Sequence, residues 1–260
     1  MKNNKTYHPN TREALLKHYQ TYPKLQTEDI FKYIFQSALG CEHLLASKEK
    51  ALDYIKREYA SSPQTDIPLI ERLDGAYSRV YLSVLKTGLS PETLATLFCL
   101  SAKKEPHGKQ ALEAKLAVAS ALVHDGELPL DRDTFDRMCD AWRSEDYPAV
   151  HHSEAFRAAY HPAYRVIDNR YADILPIFSE IDGCFGKGVS PVAIAVTDAN
   201  ERASLAETLR EIYACDVVDA ADFLKKTADG VSVRPALLVG DDLSCLALEK
   251  GAYCVIRLEN

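Results

Sequence analysis

The amino-acid sequence predicts an α/β protein in two parts. A mainly α-helical N-terminal domain covers residues 1–183, and a small Rossmann-like parallel α/β domain covers residues 192–260. Three observations carry this. Residues 11–181 hold a succession of helix start and stop signals around apolar positions at helical spacing. Residues 183–191 (GCFGKGVSP) hold three Gly, one Ser and one Pro, which places a linker at 184–191. Beyond it, short apolar runs alternate with helical patterns, the signature of a parallel sheet.

The first helix is expected over residues 11–21 (TREALLKHYQT), ending before Pro23. Thr27 is placed to cap the second, with Glu28 and Asp29 in its first turn and Ile30, Ile34, Ala38 and Cys41 near helical spacing. Ser47 caps a third, to about Tyr59. Residues 67–85 stay open, since Asp74-Gly75 marks a turn while Ala76–Leu85 fits a strand or a helix. Ser90-Pro91-Glu92 supplies a cap, a proline at the first helical position and an acid in the first turn, starting a helix to about Lys104. Helices follow over 108–124 and, opened by Asp131, to Ser144. Ser153 caps a short helix that Pro162 ends, because the residue before a proline is pushed out of the α region. The last helix of this part runs from Asn169 to Ile181. In the second part, strands are expected at Val192–Thr197, within Asp216–Ala220, at Ala236–Gly240 and at Tyr253–Leu258, with helices over Ala203–Ala214 and Asp242–Lys250.

Composition narrows the function classes. A formal net charge of -7 argues against a broad nucleic-acid-binding face, which must neutralise phosphates with Lys and Arg. The basic pairs Lys103-Lys104 and Lys225-Lys226 read as solvated faces. No run reaches the roughly 20 apolar residues of a membrane span, and the polar start MKNNKTYHPN lacks the apolar stretch of a signal peptide. The seven Cys are scattered without a C-x-x-C pair, which fits reduced thiols in a cytoplasmic protein.

Residues 192–224, VAIAVTDANERASLAETLREIYACDVVDAADFL, resemble the first βαβ unit of uridine-kinase-like P-loop proteins. Leu205-Ala206 and Ala221-Asp222-Phe223 keep the frame of that family, but its phosphate-gripping positions are replaced. Val196 and Glu201 stand at the two glycines, Arg202 at the lysine and Ala203 at the Ser/Thr. Such a loop needs glycines to wrap backbone N–H groups around phosphates and a hydroxyl to hold Mg²⁺, so the resemblance implies a degenerate P-loop. ALLVGDDLSCLALEKGAYCVI resembles the Gly-Asp strand of haloacid-dehalogenase-like phosphatases, with Thr197-Asp198-Ala199-Asn200 at the nucleophile strand and Asn200 replacing the second acid. The plainer reading makes Asp241 and Asp242 the end of a strand and the cap of a helix. The helical part resembles an uncharacterised bacterial family in which such a domain precedes a kinase-like one, on FKYIFQSALGCEHLL, LSPETLATLFCLSAK and HHSEAFRAAYHPAYRVID. That resemblance implies architecture and no activity.

All eight His lie in residues 1–161, and the densest group of functional side chains is there. His151, His152 and Ser153 precede a helix start, where free N–H groups and the helix dipole favour an anion. Tyr160, His161, Tyr164 and Arg165 crowd into six positions; Arg165 can hold an anion bidentately, His161 and Tyr164 can move a proton, and Arg79 is a companion cation. A competing reading makes this stretch a structural corner, with Arg165 paired to Asp168 or Asp173. A zinc site is the weaker idea. His152 and His161 are nine residues apart, roughly 13 Å along one helix, too far to share a metal, and Glu42 and His43 point about 100° apart. Any cofactor is left unknown by the sequence. The expected function is therefore binding of a small phosphate- or carboxylate-bearing metabolite in the helical domain, with catalysis through His161. The alternative is a non-enzymatic, pseudokinase-like interaction module. The small second domain needs cover for its sheet, which a second copy of the chain could supply.

Overall fold

The computed structural model describes residues 10–41, 47–62, 69–102, 108–232, 235–250 and 254–257. The chain forms two compact units, and both are discontinuous. Among the described residues, one comprises those from Asn10 to Val84 together with Leu97–Asp173; the other comprises Leu85–Thr96 with those from Ile174 onward. The division therefore does not follow the expected boundary at 183.

The first unit begins with helix α1 (Thr11–Thr21), α2 (Thr27–Leu39) and α3 (Lys48–Ser61). Two short strands follow, β1 (Ile70–Arg72) and β2 (Tyr77–Tyr81), then a 3-10 helix (Leu82–Thr87) and α4 (Pro91–Ala102), within which the division between units falls. Next come α5 (Gly108–His124), α6 (Arg132–Ser144), α7 (Glu154–Tyr160), strand β3 (Tyr164–Asp168) and the one-turn α8 (Asn169–Ala172). The caps at Ser47, Ser90 and Asp131 are as expected: each side chain accepts from the N–H three residues on, Lys50, Thr93 and Thr134 respectively. At α2 the cap is different. Thr27 is already helical, and Asp29 instead accepts from the Gln26 N–H at 2.8 Å. The core gathers Leu15, Ile30, Phe31 and Ile34 with Leu112, Leu116, Phe135, Trp142 and Phe156.

This unit is not wholly helical. The open stretch at 76–85 resolves into strand β2 followed by the 3-10 helix, and β3 follows the turn at Pro162. β1, β2 and β3 form an antiparallel sheet in that order, with Tyr81 opposite Tyr164 and Arg79 opposite Val166. The helix expected over Asn169–Ile181 is interrupted: α8 ends at Ala172, and α9 (Leu175–Gly186) belongs to the other unit.

In the second unit, α9 continues through Gly186, so the first three residues of the expected linker are helical. Phe185, in that stretch, packs edge-on against Tyr213 with ring centroids 5.8 Å apart. Asp182 explains why residues 85–96 belong here. It accepts from the Ser90 N–H (2.7 Å), the Thr93 hydroxyl (3.0 Å) and the Tyr213 hydroxyl (3.0 Å). The remaining elements alternate: β4 (Val192–Ala195), α10 (Ala199–Tyr213), β5 (Val217–Asp219), α11 (Ala220–Ala228), β6 (Leu237–Gly240), α12 (Asp242–Lys250) and β7 (Cys254–Arg257). Their sheet is parallel throughout, with order β5-β6-β4-β7. That order is neither the 3-2-1-4 arrangement of dinucleotide-binding sheets nor the 2-1-3-4 arrangement of flavodoxin-like ones. Among the described residues no helix is long and apolar enough to cross a membrane.

Candidate functional site

The first unit holds a cavity of about 880 Å³ bounded by α2, α3, the segment entering α7, the α7–β3 turn and Phe98. That is within the usual range for metabolite sites, roughly 300–1,000 Å³. Among the described residues its charged lining is one-sided: Lys32, Lys50, Arg157 and Arg165 against the carboxylate of Glu58. Three imidazoles, His151, His152 and His161, complete the polar wall, and Phe98, Tyr54 and Val166 supply apolar surface.

Local sequence explains how these side chains are held. Ser153 caps α7 by accepting from the Phe156 N–H (3.1 Å). His161 closes the same helix in the left-handed region (φ 43°), its N–H donating to the Arg157 carbonyl, and stays exposed on the cavity lip. β3 then begins and carries Tyr164 and Arg165. The anion expected at the start of α7 is internal to the protein. Asp29 accepts from the Ser153 N–H (3.1 Å), the Ser153 hydroxyl (2.6 Å) and His152 Nδ1 (2.7 Å). Burial opposes ionisation of Asp29, but these bonds and that of the Gln26 N–H outweigh it and hold its pKa below the usual value.

A proton-transfer chain follows from this. Burial pushes the His152 pKa down to about 4, so its ring is neutral near pH 7. The Asp29 carboxylate can only accept, so Nδ1 carries the proton and Nε2 accepts from the Tyr164 hydroxyl at 2.7 Å. The His152 ring stacks on Phe156, centroids 4.3 Å apart and nearly parallel, which fixes its plane. Tyr164 also receives a bond from Gln36 Nε2 (3.2 Å), and the Arg79 guanidinium lies 4.9 Å from its ring centroid.

Arg79 is not a cavity residue. It is fully buried on β2, donating to Gln36 Oε1 (2.8 Å) and Glu71 Oε2 (3.2 Å). Burial works against its charge, yet Tyr164, Glu71 and Tyr81 outweigh it and keep its pKa above the ordinary value. Burial likewise disfavours the charged Glu71, but Arg79 and His18 hold its pKa down at about 2. Tyr160 turns inward as well: its hydroxyl accepts from the Lys24 N–H (3.0 Å) and its ring packs against Tyr22 and Phe156. Ser153 is spent on Asp29 and the helix cap. Arg165 does line the cavity, held by Glu58 (2.8 Å) and its own neighbour's carbonyl (2.8 Å), with its guanidinium 5.5 Å from the Phe98 ring centroid. Neither Asp168 nor Asp173 takes that role: Asp168 caps α8, and Asp173 pairs with Arg72 (2.6 Å).

The structure thus brings His151, His152, His161, Tyr164 and Arg165 to one cavity and places Arg79, Ser153 and Tyr160 behind or beside it. It adds Lys32, Lys50, Glu58 and Arg157 to the lining, and Asp29 and Gln36 as supports. Glu42 and His43 lie outside the described residues, and no group of three or more His, Cys, Asp or Glu among the described residues could hold a metal ion.

In the second unit, only Val196, Thr197 and Asp198 separate β4 from α10. Asp198 accepts from the Asn200 and Glu201 N–H groups (2.9 Å each), which starts the helix at Ala199 rather than at Ala203. Arg202 folds back onto the Val196 and Thr197 carbonyls (2.9 and 2.8 Å). The loop is therefore short and closed on itself. Asp241 caps α12 by accepting from the Ser244 N–H (2.8 Å).

No protein family, no curated protein and no solved structure matches this chain.

Proposed function

We propose that the cavity of the first unit binds a small metabolite bearing phosphate or carboxylate groups. The observation that supports this is the imbalance of its wall, four cationic side chains against one carboxylate among the described residues, in a chain whose formal net charge is -7. Lys50 and Arg157 stand exposed toward solvent, and Arg165 sits deeper, already oriented by Glu58. Such an arrangement draws an anion in and then fixes it by a charge-assisted bond.

Tyr164 and His161 are the acid–base groups of this reading. Tyr164 faces the ligand, and His152 with Asp29 positions it. When His152 takes the phenolic proton, the imidazolium that forms faces the Asp29 carboxylate, as in other relays of carboxylate, imidazole and hydroxyl. The α/β unit is then a scaffold, a degenerate relative of a P-loop unit in which Arg202 and Asp198 stabilise the loop from within, and the protein works in the cytoplasm. A non-enzymatic interaction module is the second reading. It draws on Leu243 and Leu246, exposed at 79% and 42% and three residues apart on α12.

The test is a thermal-melting series with inorganic phosphate, pyrophosphate and citrate against sodium chloride at equal ionic strength. One anion class should raise the melting temperature, because a ligand of the native state stabilises it by mass action. The double variant Lys50→Gln/Arg157→Gln should weaken that response by about tenfold or more, from the loss of two charged bonds. Equal responses to every salt would sink the proposal and move weight to the interaction module.

A further inference from the structure

We propose that Cys184 and Cys254 form a reversible dithiol–disulfide pair within the second unit, closed by reaction with a low-molecular-weight disulfide. Cys184 lies in the last turns of α9, and Cys254 is the first residue of β7, which among the described residues is an edge strand paired with β4, where Cys254 stands opposite Val192. Their sulfurs are 3.1 Å apart. A disulfide bond is about 2.05 Å, so closing it needs a movement of roughly 1 Å, within reach of a helix end and a strand start. Both thiols are partly exposed, whereas Cys139 and Cys245 are buried in their cores.

The pair divides the chemical roles. Burial, and then the adjacent Cys254 sulfur, push the Cys184 thiol up to about 11, so it keeps its proton near neutral pH. Cys254, at the start of edge strand β7, is assigned as the attacking group and Cys184 as the resolving one. The Cys254 thiolate attacks one sulfur of the small disulfide, forming a mixed disulfide and expelling a small thiolate. Cys184 then loses its proton to solvent and attacks the Cys254 sulfur, expelling the second small thiolate. The protein gives up two electrons and two protons, and the small disulfide becomes two thiols. The result ties the edge strand to α9 across 70 residues of chain, a constraint that disfavours the unfolded state.

The experiment uses the whole reduced protein, incubated with oxidised and reduced glutathione in graded ratios, quenched by alkylation and mapped by peptide mass spectrometry. A cross-linked peptide joining Cys184 to Cys254 should appear as the ratio rises and vanish on reduction, while Cys139 and Cys245 stay reduced. The oxidised protein should melt at a higher temperature than the reduced one. In Cys184→Ser, Cys254 should instead keep a mixed disulfide with glutathione. The proposal is overturned if both thiols stay alkylated in the unaltered protein at every ratio, or if Cys254 there accumulates the mixed disulfide without closing onto Cys184.

Discussion

Asp29 accepts hydrogen bonds from residues at both ends of the first unit's chain: the Gln26 N–H of its own helix, and Ser153 and His152 more than 120 residues on. It caps α2, anchors α7 and sets the tautomer of His152 in one stroke. The arrangement carries a pH signature. An unfolded His binds a proton near pH 6.5, whereas His152 in the native state does so at about 4. Between these values the unfolded chain holds more protons, so stability falls as the pH drops from about 6.5 to 4, by about 3 kcal/mol at most from this group. Buried His18, also lowered, adds in the same direction. Asp29 and Glu71, both held below their usual values, lose their contribution only at lower pH. Urea unfolding at pH 7, 6 and 5 should show this slope, and His152→Asn should flatten it; an unchanged slope in the variant would contradict the buried neutral ring. The cluster of His152, Ser153, Tyr164 and Arg165 was legible because the four lie within 14 residues of one another. Asp29 was legible only as a first-turn acid, since a partner 123 residues away leaves no local signal.

At the scale of elements, the helices with side-chain caps were readable and the first sheet was not. β2 is buried at every position, so its residues show no alternation of apolar and polar types. Its polar members are satisfied inside: Ser78 donates to Asn169, and Arg79 to Glu71 and Gln36. β3 is likewise buried from Arg165 to Asp168, and the sequence around Pro162 reads as irregular until β2 is there to pair with it. The parallel strands were readable as short apolar runs, and three of the four end at an Asp that caps a helix: Asp198 just after β4, Asp219 at the end of β5 and Asp241 just after β6. Close approach at one of these junctions is testable. A Cβ on Gly240 would stand 2.4 Å from the Cβ of buried Ala220 at the start of α11. Both atoms are fixed to backbone, so Gly240→Ala must push β6 and α11 apart and cost about 1–3 kcal/mol. The midpoint of urea unfolding should fall accordingly; an unchanged midpoint would mean that the junction is looser than this.

For the whole molecule, charge and division matter most. An acidic chain that gathers cations around one cavity should bind anions with marked salt dependence, because exposed Lys50 and Arg157 are screened beyond about 10 Å at 0.1 M salt. The affinity for pyrophosphate should therefore fall steadily between low and moderate ionic strength in calorimetric titrations; an affinity indifferent to salt would place the binding elsewhere. The parallel strand-helix alternation was legible from the change of pattern after residue 191, but the grouping of earlier residues with it was not. The grouping of residues 85–96 with the α/β unit depends on Asp182 meeting Ser90 and Thr93, bonds across about 90 residues that no run of glycines announces.

The measurement that bears most directly on the cavity as an anion site is the histidine side-chain NMR spectrum during titration with pyrophosphate. His151 and His161 line the cavity, whereas His124 pairs with Asp136 and does not. The account predicts saturable shifts of the His151 and His161 signals with His124 unmoved. Shifts of all exposed imidazoles together, or none at His151 and His161, would contradict it.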